Sequence, residues 1–271
     1  MNTGANRHSL SKHTQNRNIM KALAAALFAT FLFPLSLAAQ FTGSVVVEAH
    51  KVNYNNEPVE KAGEFVVRFG RTGIRVEGLD DVGSIDELQG LEPSALIIRN
   101  DKKDFVLVAE SDGKNEALVI TKAEIENMMS MFAQFSTSEV NSGDATNIDR
   151  TNDTKTIAGL RARKTVVTRM EGNQLHVMNV WEAEKEPVDW GILAEEWTSL
   201  PQDLGSVLTS FMGSSKGLPL LIEVIENGNP KFKIEVVSVD KKQPRSSAFS
   251  VPEGTTIIGF QDLLWRKMMG N

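Results

Sequence analysis

From residue 41 onward, apolar and polar positions alternate with a period of two over short runs. Residues 41–52 (FTGSVVVEAHKV), 64–69, 73–78, 94–99, 104–110 and 115–120 are β-branched stretches bounded by turn formers, the pattern of successive strands in a meander. Gly70-Arg71-Thr72-Gly73, Asn100-Asp101 and Asp112-Gly113 fall between successive runs, and Gly172-Asn173 and Asn227-Gly228 join two later pairs. Asn-Gly and Asp-Gly readily take the left-handed angles of a tight hairpin. Around Asn227-Gly228, Leu220, Ile222 and Val224 alternate before the turn and Phe232, Ile234 and Val236 after it, with Glu223, Lys233 and Glu235 on the opposite face. That spacing predicts a half-buried antiparallel hairpin.

The period changes to 3.6 twice. From about Lys122 to Phe135, Thr121 and Glu124 form a capping box, and Ile125, Met128, Met129, Phe132 and Phe135 share one helical face. Between Asp189 and Met212, Trp190, Leu193, Trp197 and Leu200 make a stripe, broken at Pro201 and resumed by Leu204, Val207, Leu208 and Phe211. Both segments predict amphipathic helices. Residues 136–154 read as a polar loop with one short strand, and 80–93 as an acidic loop or short helix. No internal repeat or Pro/Gly/Ser-rich linker divides the chain.

The first forty residues follow another rule. After Met20-Lys21 comes an apolar run ending in Ser36-Leu37-Ala38, the charged start, apolar stretch and small-residue cleavage site of a secretory leader. The expectation is cleavage after Ala38, giving residues 1–38 as signal peptide, 39–271 as one β-rich domain, and a periplasmic or otherwise exported protein. Residues 1–19 then read as an upstream extension before a start at Met20. Cleavage removes Arg7, Lys12, Arg17 and Lys21, so 29 basic residues become 25 against 35 acids, and the net charge moves from −6 to −10. Nucleic acid is not the expected partner, because phosphate binding needs clustered cations. The absence of cysteine excludes disulfides, thiolate metal sites, a cysteine nucleophile and an acylated lipoprotein cysteine.

Candidate chemistry fails on context. Gly213-Ser214-Ser215-Lys216-Gly217 matches G-x-S-x-G, but a helix is expected before it and a strand after, the reverse of a nucleophile elbow, and no histidine follows. After residue 38 the histidines are His50 and His176, each inside an expected strand. The acids Glu77, Asp80, Asp81, Asp86 and Glu87 lack a calcium-loop spacing, and Glu195-Glu196 cannot face one another on a helix. Asn152-Asp153-Thr154 matches a glycosylation acceptor. The expectation is therefore no catalytic residue, no metal and no cofactor.

TIAGLRARKTVV at 156–167, a strand ending in Val180-Trp181, GLPLLIEV at 217–224 and AFSVPEG at 248–254 occur in that order. The chain in this respect resembles a family of exported bacterial proteins similar to the LolA/LolB lipoprotein-carrier superfamily. The family's first motif reads approximately I-A-G-aromatic-x-C-x-K; Ile157, Ala158, Gly159 and Lys164 match it, while Leu160 replaces the aromatic residue and Ala162 the cysteine. The resemblance implies an α+β, mainly β fold: a strongly curved antiparallel sheet, an unclosed barrel, with amphipathic helices packed in or over its concave face. Single-faced strands with two amphipathic helices reach the same picture, since wrapping sheet around helix buries both apolar sides. Trp181 is expected to be largely buried, with its indole N–H partnered.

In that superfamily the interior accepts acyl chains. The expectation is a non-enzymatic envelope protein carrying a lipid or other apolar ligand, with Met128, Met129, Phe132, Phe135, Trp190, Trp197 and Phe211 as the ligand-binding residues. Methionine is suited to this because it adapts to varied apolar shapes. The alternative is a structural or sensory module with a filled core that binds another envelope protein through a sheet edge or its helices.

Overall fold

The computed structural model describes residues 40–79, 92–111, 113–127, 146–171, 174–197, 215, 217–262 and 265. They form twelve strands in one sheet: β1 (Gly43–Val52), β2 (Pro58–Phe69), β3 (Gly73–Glu77), β4 (Glu92–Arg99), β5 (Asp104–Ser111), β6 (Lys114–Thr121), β7 (Thr146–Ile157), β8 (Leu160–Glu171), β9 (Gln174–Pro187), β10 (Gly217–Glu226), β11 (Asn229–Asp240) and β12 (Thr256–Gly259). The order is β12-β6-β5-β4-β3-β2-β1-β11-β10-β9-β8-β7, a curved sheet left unclosed between β12 and β7. Two meanders are joined where β1 pairs antiparallel with β11, and β12 adds parallel to β6.

The expected hairpins form where turn chemistry allows. Asn227 and Gly228 both have positive φ, as do Ala158 and Gly159, the geometry of a two-residue turn between antiparallel strands. Ala158 adopts φ of 46° without the freedom of glycine, a conformation that costs an L-residue about 1 kcal/mol or more. The predicted capping box is present: the Glu124 backbone N–H donates to Thr121 Oγ1 (3.1 Å), and the Thr121 N–H donates to Glu124 Oε2 (2.8 Å). A helix follows over 122–127.

Two expectations change. Residues 146–157 are a twelve-residue strand rather than the end of a polar loop; its polar side chains are tolerated because most of its positions are exposed, with Ile148 half-buried and Ile157 buried. The segment from Asp189 does not open as an α-helix. It makes one 3-10 turn, Gly191–Leu193, and continues without helix to Trp197. Strand β12 carries too short an apolar run to stand out by pattern. Residues 1–39, read from sequence as a leader, residues 80–91, the remainder of both amphipathic segments, residues 136–145 of the predicted polar loop and Gly172-Asn173 lie outside the described residues.

Burial explains the continuous apolar run in β4. Ile98 belongs to the central core with Phe69, Ile74 and Ile192, while Ala95 and Ile97 pack with Val106, Ala117 and Phe249 in a second cluster. Phe249, from the 3-10 turn Ser246–Phe249, comes so close to Gly70 that a Cβ there would lie 2.3 Å from the ring. Strands covered on both faces lose the polar alternation of one-sided strands. At the β4–β5 turn, Arg99 Nε and Nη2 donate to both oxygens of Asp104 at 2.6 and 2.5 Å, both side chains being buried.

Candidate functional site

The pleat brings apolar residues of five neighbouring strands to one face. Val45 and Val47 of β1, Val67 and Phe69 of β2, and Ile74 and Val76 of β3 meet Leu220 and Ile222 of β10 and Ile234 and Val236 of β11 around a cavity of about 250 Å³. Among the described residues no polar one contributes to its lining. Phe69 anchors one wall, edge-on to Phe41 with centroids 5.6 Å apart and to Trp190 at 6.1 Å.

Trp190 and Leu193 reach the cavity from the strap that leaves β9. The Gly191 N–H donates to Asp189 Oδ1 (2.9 Å) and the Ile192 N–H to Asn100 Oδ1 (3.3 Å). Gly191 has φ of 50°, and a Cβ there would overlap the Asn100 side chain at 1.9 Å, so this approach requires glycine. Farther along, Lys122 Nζ donates to Glu195 Oε2 (3.1 Å) and to the Glu196 carbonyl (2.7 Å), and Lys103 Nζ lies 2.9 Å from Glu195 Oε1. Hydrogen bonds from Lys103 and Lys122 hold the Glu195 carboxyl below its ordinary pKa. Trp197 packs against Phe105 (centroids 5.9 Å) beneath the Lys122 ammonium.

Of the residues expected to bind ligand, Trp190 lines the cavity and Trp197 fastens the strap away from its lining. Met128, Met129, Phe132, Phe135 and Phe211 lie outside the described residues. The strand residues that make most of the wall were legible only as core, because a period of two marks a buried face without saying whether that face is filled.

A polar site adjoins this wall. Glu182 of β9 is 3% exposed; Ser215 Oγ and Thr165 Oγ1 both donate to its carboxylate. Burial pushes its pKa up, opposed by those two hydroxyls and the charge of Arg150. Ser215, the central serine of the G-x-S-x-G match, is thus bonded to a buried acid just before β10. His50 Nε2 lies 3.2 Å from Glu48 Oε2 on β1, and among the described residues no cluster of three metal-ligating side chains occurs.

Trp181 departs from expectation. It is half-buried, its indole N–H is enclosed without a hydrogen-bond partner, and Lys155 and Lys164 Nζ stand 5.2 and 5.9 Å from its ring centroid. The lysine stems cover surface that a second apolar layer would otherwise bury. The four sequence motifs have structural places: Ala158-Gly159 makes the β7–β8 turn, Trp181 lies in β9, GLPLLIEV is β10 and Phe249 plugs the second core.

No protein-family model and no curated protein matches this chain. Among solved structures it is similar to a crystal structure of MucB in complex with MucA(peri), with 10% sequence identity, a TM-score of 0.34, and coverage of 82% of this chain and 58% of that one. The chain thus spans less than two thirds of the length of that structure.

Proposed function

We propose that this is an exported, non-enzymatic binding protein that holds an apolar ligand of the acyl-chain class in the cavity above β10, β11 and β1 to β3. The observation that carries the reading is a half-open pocket of about 250 Å³ whose lining, among the described residues, is entirely apolar. Val47, Val67, Val76, Ile222 and Ile234 of its wall are only partly buried, and covering such apolar wall with a ligand is worth roughly 25 cal/mol per Å² taken out of water. Export rests on the leader pattern at 20–40. The absence of an assigned reaction rests on the sequence order around Ser215, which offers no histidine to activate it.

The test combines native mass spectrometry of protein purified from the cell envelope with titration of a fluorescent fatty acid. Wild type is expected to carry co-purifying lipid or to take up the probe. Val76→Phe, which fills the void, is expected to abolish uptake while keeping the thermal midpoint. Wild type that neither carries lipid nor takes up probe, together with a Val76→Phe variant more stable than wild type, would mean an empty packing defect and end this reading.

A further inference from the structure

We infer that the β7–β8 edge is a docking site for an acidic, extended polypeptide segment that adds as a strand along β7. This stands on a different part of the molecule from the cavity and is independent of it. Three observations converge there.

Strand β7 terminates the sheet, and among the described residues β8 is its one partner. Among the described residues one side of a twelve-residue backbone therefore has no ladder partner for its N–H and C=O groups, the template for strand addition. The hairpin's charge then selects the partner. Residues 146–171 hold six basic side chains against three acidic, in a chain whose net charge is −6. Third, Lys155 from β7 and Lys164 from β8 bring their ammonium groups to the same indole of Trp181 on β9. Among the described residues neither lysine is in an ion pair, whereas neighbouring Arg163 reaches Glu184 at 3.5 Å. Two like charges gathered beside one ring are repulsive by themselves, and a carboxylate laid across them relieves that repulsion.

The edge also excludes indiscriminate pairing. Thr151, Asn152 and Asp153 bulge out of register with β8, and Asp149 and Asp153 hold negative charge in the first two thirds of the strand. Bulges and charges are the usual guards of an open edge. Positive charge is left concentrated toward Lys155, so the acidic positions of an incoming strand belong at that end. Alternation in the added strand places every second side chain on the Lys155, Lys164 and Trp181 face.

The test is anisotropy of a labelled decapeptide alternating Glu and Val, titrated with the full chain at low salt, alongside hydrogen exchange of the amides in 146–157. Binding that weakens with salt, slower exchange in β7 and no binding of a Lys-Val control are expected. Lys155→Glu/Lys164→Glu is expected to weaken binding by about tenfold or more. Lys155→Gln/Lys164→Gln, which introduces no new charge, should weaken it in the same direction at an unchanged thermal midpoint. No binding by wild type, wild-type affinity in both double variants, unchanged β7 exchange, or binding to phosphatidylglycerol vesicles without peptide binding would each overturn the inference.

Discussion

The strands around the cavity and the β7–β8 hairpin share one sheet and one pleat, yet they handle their side chains in opposite ways. Around the cavity, alternate positions converge on an apolar volume and the strands are paired on both edges. At the hairpin one edge is unpaired, the register slips across residues 151–153, and all but one of the β7 side chains are at least partly accessible. A strand flanked on both sides is held by burial. A terminal strand is held by a single ladder, so its side chains are free to serve contacts made outside the fold.

The contrast is sharpest at buried charge. Arg99→Met strands Asp104 in a buried position and is expected to cost about 3 to 5 kcal/mol, whereas Arg161→Ala on the exposed hairpin should stay within about 0.5. Chemical denaturation of the two variants checks the pair; equal losses would erase the distinction. Next, Leu220→Ala truncates a fully buried side chain beside the pocket and is expected to cost about 3 kcal/mol. Ile148→Ala, on half-buried β7, should cost about 1 by the same measurement.

A smaller effect follows pH. The Glu182 carboxyl titrates above its ordinary 4.5 in the folded chain, so the folded state holds the proton more tightly than the unfolded one. Its contribution is fully present below the ordinary carboxyl range and is lost as pH rises through the raised value, at no more than about 1.4 kcal/mol per pH unit. Glu182→Gln should remove that decline, so its advantage in thermal midpoint over wild type widens from about pH 4 toward 7. A constant difference across this range would mean that the carboxyl is not perturbed. Smallest of all, Ala158→Gly relieves a left-handed alanine and should gain about 0.5 to 1 kcal/mol, read from the denaturation midpoint.

The same contrast sets what could be read from residues alone. The meander from β1 to β6 and the β10–β11 hairpin were legible because one-sided burial writes a period of two into the chain. So was the Thr121–Glu124 cap, a local contact. Strand β7 was read largely as loop because its edge position removes the apolar face that pattern reading depends on. The strap was read as helix because Trp190, Leu193 and Trp197 have helical spacing; they are placed instead by Asn100, Phe69 and Phe105, contacts distant in sequence. A void cannot be read from pattern at all, since it depends on how completely facing side chains meet.

The pairing of β1 with β11 also sets when the sheet can form. Val45 lies opposite Val239, so the seam joining the two meanders closes only after nearly the whole chain is available. Contacts this distant in sequence make folding slow. During synthesis the first meander has no strand to complete its open side. The order of the strands thereby postpones the native state until residues near 240 have been made.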